Sequence, residues 1–402
     1  MTATRILRGA TIAAGVGVWV VLAALLWRTT VPAGLRLPHL DENAVFGRRL
    51  VHDAARYERL LDFLWLGATL TDLVVLGVLV RRGRRLAQGL GLGRVNAGIV
   101  VGVVALTILW AAELPWAVAS EWWQRRHGIS RENYVDALLS AWASLLATTF
   151  VALVALAVIL GYAKALRTRW WLAAVPTIVA LGAALQFVVP YLVTLGTDPL
   201  PRGELTAQIR QLEEREDAGN PPIRVETVSD TTRAANAYSL GIGPSERVVF
   251  WDTLLHEFGP REVRFVAAHE LAHLARNHIL KGVAWIGLFT LPILGLVAFV
   301  TERGGGLREP ANVPLGLLVL VAANLVALPL RNEISRRYET EADWIALGAT
   351  RDPGAARGFF RGFSAESLQD PTPPGWVHVF LEDHPTVLQR IELARAWAKR
   401  NR

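Results

Sequence analysis

Apolar residues along this chain gather in long uninterrupted runs, at 8–27, 61–80, 97–117, 138–161, 170–194, 282–301 and 313–330. Each run is close to the ~20 residues a helix needs to cross the hydrocarbon core of a bilayer. The pattern predicts an α-helical polytopic membrane protein with about seven transmembrane helices. Between the fifth and sixth runs, and again after the seventh, apolar and polar positions alternate at shorter range. The chain therefore divides into a five-span region at 1–197, an insert at 198–281, a hairpin of spans six and seven at 282–330, and a polar C-terminal segment at 331–402. Arg247-Val248-Val249-Phe250-Trp251 is rich in strand formers and adds a sheet to the insert. That strand is read either as a core strand or as one that touches substrate. Glu213 to Asn220 reads as a charged loop, Gly304-Gly305-Gly306 as the turn between spans six and seven, and Pro371 to Pro374 as a rigid loop. The first run follows Arg5 and Arg8 and ends at Trp27-Arg28 without a small-residue cleavage pattern, so it reads as an uncleaved anchor.

Polar positions inside the runs are expected to avoid lipid. Asp72 lies mid-span and Glu113 near the end of the third run. A carboxylate at bilayer depth costs ~2.5–3.5 kcal/mol even on lenient scales, so both should face protein or water.

One stretch of the insert carries metal chemistry. His269-Glu270-Leu271-Ala272-His273 spells H-E-x-x-H. Histidines four apart share one helix face and can close on a single Zn²⁺. The glutamate between them then stands where a hydrolytic water would sit, as a general base. Gly259-Pro260 opens the segment, and Val263, Val266, Ala267, Leu271 and Leu274 form an apolar stripe at helical spacing. Glu262 near the start and Arg276, His278 and Lys281 near the end suit the helix dipole.

A catalytic zinc keeps three protein ligands and one open position. Arg336-Arg337-Tyr338-Glu339-Thr340-Glu341-Ala342-Asp343 supplies acids on a second helix. Glu339 as third ligand leaves Asp343 one turn further on, able to accept a hydrogen bond from a ligand histidine. The alternative, a charged helix face with Arg336, Arg337, Glu339 and Glu341 in solvent, would win for the segment in isolation but loses once it is paired with H-E-x-x-H. A competing reading is a membrane transporter or scaffold with a closed, structural zinc site, for which His278 is the extra donor. On a continuous helix His278 lies about 100–140° away from the ligand face.

The order of these blocks resembles the type I CAAX prenyl endopeptidases, integral-membrane zinc proteases of the gluzincin group. The resemblance runs through Asn236-Ala237-Tyr238, Val248 to Leu255, His269 to His273, Arg336 to Asp343, and Asp383-His384-Pro385 with Arg390 beyond it. Glu121 to Gly128 resembles the family's acidic-to-glycine loop after the third span. Tyr191 to Leu200 departs from the Leu-Phe-Asn segment the family often carries there. The resemblance implies a helix-enclosed, water-filled chamber joined to an α+β zincin-like metalloprotease domain. It implies His269, His273 and Glu339 as zinc ligands, Glu270 as base, and His384 and Arg390 as groups that steady the oxyanion. It further implies Asn236 and Ala237 on an edge strand that pairs with substrate backbone. Peptide or protein substrates follow, prenylated or membrane-associated, although no residue here reads a prenyl group.

Composition narrows the rest. With 52% hydrophobic and 19% charged residues, the chain is too apolar for an ordinary soluble enzyme. It has no cysteine, so metal donors must be nitrogen and oxygen. The net charge of +7 does not argue for nucleic acid, because the arginines flank spans, as at Arg81, Arg82, Arg84 and Arg85. The expected place is a plasma or inner membrane. Basic density in the second and fourth loops favours the insert outside. Arg276, Lys281, Arg331, Arg336 and Arg337 at its membrane edge, together with the resemblance, favour a cytoplasmic catalytic domain, which is the orientation expected here.

Overall fold

The computed structural model describes residues 2–401, without the side chains of 2–9, 11, 12, 141, 145 and 148. Each of the seven apolar runs coincides with a helix, two of them overrunning its C-terminal end by one residue. The helices are α1 (Thr2–Leu26), α3 (Arg48–Ala87), α4 (Arg94–Arg126), α5 (Tyr134–Leu166), α6 (Trp170–Val193), α10 (His278–Glu302) and α11 (Val313–Thr350). A short α2 (Glu42–Phe46) lies between the first two of them. Five helical stretches among the described residues are long and apolar enough to cross a membrane, and one of these, Tyr134–Gly196, contains both α5 and α6. Large apolar side chains stay exposed along them, among them Phe63, Val74, Leu139, Phe150, Phe299 and Val326. Such a belt suits a lipid surrounding better than water.

Several helices outrun their apolar runs. α3 has 40 residues, ~60 Å at 1.5 Å per residue, or about twice the hydrocarbon thickness. α4 continues to Arg126, so most of the expected loop from Glu121 to Gly128 is its last turns. The helical pattern persists there because no breaker occurs before Gly128, whose φ is +69°. α11 has 38 residues and runs without a break from its apolar half into the polar segment that holds Glu339 and Asp343.

The insert supplies a small mixed sheet. Its strands are β1 (Asp198–Pro199), β2 (Ile223–Glu226), β3 (Ala237–Leu240) and β4 (Arg247–Trp251), in the order β1-β2-β4-β3. β2 and β4 run parallel, and the other two pairs are antiparallel. β4 is central, and its Val248, Val249 and Phe250 are fully buried, so that run is a core strand. β3 is at the end of the sheet. Gly241 makes the turn out of β3 at φ +95°, and any Cβ there would strike the Ser245 carbonyl.

Around the sheet stand α7 (Glu204–Glu216), α8 (Asp252–Glu257), α9 (Pro260–Ala275), α12 (Pro353–Ser367), α13 (Gly375–Phe380) and α14 (Val387–Arg400). Their shared core includes Ile209, Leu212, Phe250, Leu254, Phe265, Leu271, Leu347, Phe360 and Ile391. Glu213 to Glu216 is the last turn of α7, not a loop. The loop begins at Asp217, which takes a left-handed conformation. The charges hid an amphipathic helix whose Ile209 and Leu212 face the core.

Both carboxylate oxygens of Glu216 are buried without a hydrogen-bond partner. Burial pushes this carboxyl up to about 9, against a small opposing pull from His269. The native state thus keeps its proton at neutral pH while the unfolded chain loses it. The resulting penalty is absent below the ordinary carboxylate range and grows as pH rises towards 9. Glu216→Gln is expected to stabilise the protein at pH 7 by on the order of 2–3 kcal/mol and to change nothing at pH 4. Melting temperatures of the two proteins at both pH values check this, and an equal gain at pH 4 would contradict it.

Candidate metal centre and active site

α9 begins with Gly259 at its N-cap and Pro260 in its first turn. Val263, Phe265, Val266, Ala267, Ala268, Leu271, Ala272 and Leu274 are all buried, so the helix is enclosed on nearly every side. The fully buried alanines Ala267, Ala268 and Ala272 allow neighbouring helices to approach closely. His269 and Glu270 are each only 7% exposed. The helix ends sooner than its periodicity suggests. Asn277 takes a left-handed conformation at φ 54°, and α10 starts afresh at His278. The continuous-helix estimate of where His278 points therefore does not hold.

α11 crosses α9 and brings Glu339 to the histidines. Nε2 of His269 lies 3.1 Å from Glu339 Oε2, and Nε2 of His273 lies 3.4 Å from Oε1. The two imidazole Nε2 atoms are 3.1 Å apart. Donors ~2.0–2.2 Å from one tetrahedral ion are separated by ~3.3–3.6 Å, so one nitrogen from each histidine and a carboxylate oxygen of Glu339 stand close to the spacing of three zinc ligands. Glu339 Oε2 is buried and has no hydrogen-bond partner despite those short distances. An anionic oxygen and two imidazole edges converging without satisfying one another fit a divalent cation. Among the described residues, His269, His273 and Glu339 are the set whose ligand atoms all lie within 4.8 Å of each other.

Behind His269 stands Asp343, whose Oδ1 accepts from the ring Nδ1 at 2.9 Å. Two donors of Arg390 clamp the same carboxylate, each at 2.7 Å. With its proton on Nδ1, His269 presents a bare Nε2 to Glu339 and His273. Without a cation, burial favours the neutral ring, but Asp343 and Glu339 outweigh it and push His269 up to about 10, so an ion bound there takes the place of a proton on Nε2. Arg390 also lies over the Phe360 ring at 4.3 Å. Its guanidinium is thus committed through Nε and Nη2 to Asp343 behind the cluster, 4.0 Å from Glu339. The fork geometry of guanidinium and carboxylate explains the commitment.

His384 sits differently. Its side chain is 45% exposed, Nδ1 is 2.7 Å from Asp383, and Nε2 is 3.3 Å from Glu339 Oε2. Burial lowers its pKa, yet Glu339 and Asp383 raise it above the ordinary histidine value. The proton on Nε2 is the one an oxyanion donor needs. The loop that carries it is fixed by Arg336, which donates to the carbonyls of His378 and Glu382 at 2.8 and 2.7 Å. Sequence reading assigned Arg336 no such contact. No local signal reveals those carbonyls, which lie more than forty positions away.

His269, Glu270, His273, Glu339 and His384 line one cavity of about 900 Å³. Asn236, Ala237 and the rest of β3 form another wall. Asn236 is exposed just before β3, where its carbonyl accepts from Trp251 N. The cavity continues between the long helices past Ile178, Ile286, Phe289, Ile293 and Leu320. His278 stands behind His273, with Nδ1 3.1 Å from the Nδ1 of His273, and so does not supply a fourth donor.

Residues 199–398 match Peptidase family M48. An uncharacterized metalloprotease, YhfN, of Bacillus subtilis is 29% identical over 272 residues, covering 64% of this chain and 63% of that protein. The CAAX prenyl protease 1 homolog of Oryza sativa subsp. japonica is 25% identical over 205 residues, or 48% of this chain and 47% of the relative. This chain thus spans less than two thirds of the length of these curated relatives. The crystal structure of S. mikatae Ste24p superposes with a TM-score of 0.72, covering 94% of this chain and 96% of the other at 17% identity. At that identity the likeness is one of fold.

Proposed function

We propose that this chain, whose residues 199–398 match peptidase family M48, is a zinc-dependent endopeptidase of the membrane. The observation that carries the reading is that one ligand atom from each of His269, His273 and Glu339 lies within 4.8 Å of the others, with Glu339 Oε2 buried and unpartnered. These three residues would hold Zn²⁺. Bound there, the ion would supply Lewis acidity towards a peptide carbonyl and make a nearby water more acidic.

The chain's own groups do the rest. Glu270, in the cavity wall beside both histidines, takes the proton of the attacking water and returns it to the leaving amine. Nε2–H of His384 donates to the oxygen on which negative charge develops. Asp343 holds the His269 proton on Nδ1, and Arg390 holds Asp343. Asn236 and Ala237 open an edge strand that can pair with extended substrate backbone, a sequence-tolerant mode of binding. In this reading residues 1–197 and the hairpin 282–330 form the membrane wall of the cavity. Residues 198–281 and 331–402 supply the reacting groups.

The substrate is proposed to be a peptide segment that enters beside an apolar group. Ile178, Ile286, Phe289 and Ile293 carry the cavity into the spans, and the names of several relatives refer to prenylated CAAX proteins. We place the site on the cytoplasmic face of a plasma or inner membrane, following the basic residues at its membrane edge. The test uses full-length protein in detergent, with zinc content and hydrolysis of one peptide, prenylated and unprenylated, measured together. About one zinc per chain is expected. Hydrolysis should be lost with 1,10-phenanthroline, restored by zinc and faster on the prenylated peptide. Equal rates on the two peptides would remove the prenyl preference, and absence of both zinc and hydrolysis would remove the peptidase reading.

A further inference from the structure

The two imidazoles of the metal centre are backed by different partners. His269 has a carboxylate directly behind it. His273 has another imidazole, that of His278, whose own far nitrogen Nε2 lies 3.0 Å from Glu341 Oε2. Glu341 is wholly buried, and its other oxygen accepts from the backbone N–H of Thr30 at 2.7 Å. The His278 ring is stacked on Tyr338, with centroids 4.6 Å apart and planes 9° from parallel. Tyr338 is fixed in turn, donating to the Leu26 carbonyl and accepting from Trp285 Nε1.

Only one placement of protons satisfies this row with neutral rings. A carboxylate accepts only, so His278 must carry its proton on Nε2 and donate it to Glu341. Its Nδ1 is then a bare acceptor. The facing Nδ1 of His273 must hold a proton and donate it, which leaves Nε2 of His273 bare. That nitrogen is the one beside Glu339 and His269. The reverse tautomers would set two lone pairs against each other at Glu341 and point a proton into the metal position.

We propose that His278 and Glu341 are a positioning pair for His273, selecting the tautomer that turns its lone pair to the ion. The inference rests on the reading of His269, His273 and Glu339 as ligands. Thr30, in the segment that follows the first apolar helix, completes the row by fixing the Glu341 carboxylate.

The test measures zinc affinity by chelator competition on the full chain in detergent, and the visible spectrum after Co²⁺ substitution. His278→Phe keeps a ring stacked on Tyr338 but removes both nitrogens. His278→Asn keeps an acceptor close to where Nδ1 stands. Glu341→Gln keeps an acceptor for Thr30 but removes the charge that holds the His278 proton. Loss of an outer partner of a ligand histidine typically weakens metal binding ~10–100-fold. That loss is expected for His278→Phe, with a shifted Co²⁺ spectrum, and the metal-free variant should melt earlier than metal-free wild type because Glu341 loses a buried donor. His278→Asn should recover most of the affinity, and Glu341→Gln should lie between it and His278→Phe. Wild-type affinity in His278→Phe, or equal losses in His278→Phe and His278→Asn, would overturn the proposal. Should His278→Phe fail to fold, Glu341→Gln decides alone, and unchanged affinity there overturns it. Wild-type protein that takes up no zinc would overturn the ligand assignment itself, and the pair with it.

Discussion

Replacing Glu270 by glutamine is expected to slow peptide hydrolysis by ~10²–10⁴-fold, the usual contribution of a positioned general base. Zinc content should not change. Glu270 lines the cavity beside His269 and His273 but is not among the three residues whose donor atoms converge. Glutamine fills the same volume in this nearly closed site, so a packing defect cannot account for the loss. Rates and metal content must be measured in the same sample. Hydrolysis at the wild-type rate in a zinc-loaded Glu270→Gln protein would show that another group moves the proton.

The second large effect is expected at Glu339. Glu339→Ala should abolish stoichiometric zinc binding and reduce hydrolysis to background. The reason is its place as the shared anion of the cluster. His269 at 3.1 Å, His384 at 3.3 Å, His273 at 3.4 Å and Arg390 at 4.0 Å all face its carboxylate. Without it, one permanent cation and three imidazoles crowd together with Asp343 behind His269 and Asp383 beside His384 as counter-charges. Leaving buried charge without its partner costs about 3–5 kcal/mol, so the metal-free variant should also melt earlier than metal-free wild type. Metal analysis and melting curves of both proteins check the two effects separately. Retained zinc in Glu339→Ala would mean that another side chain is the third donor.

Much of this site was legible because its signals are local. Histidines at i and i+4 and the i, i+4 relation of Glu339 to Asp343 need only the helical repeat. The apolar runs needed only length. What escaped depends on contacts between distant positions or on single residues. Asn277, one left-handed residue in an otherwise helical pattern, swings His278 behind His273. Arg390 clamps Asp343, forty-seven positions back. The seeming loop at Glu213 is a helix because Ile209 and Leu212 have a core to meet, which only the fold supplies.

The 38-residue length of α11 bears on how this protein can be handled. One end of that rod is apolar enough to cross a membrane, and the other holds the carboxylates of Glu339 and Asp343. A scalpel that removed the greasy hairpin to obtain a water-soluble enzyme would have to cut through the rod itself. The piece left over would have to hold its ligand arm with no mast beneath it. Chemistry and anchorage here are a single object, so this fold offers no severable catalytic half.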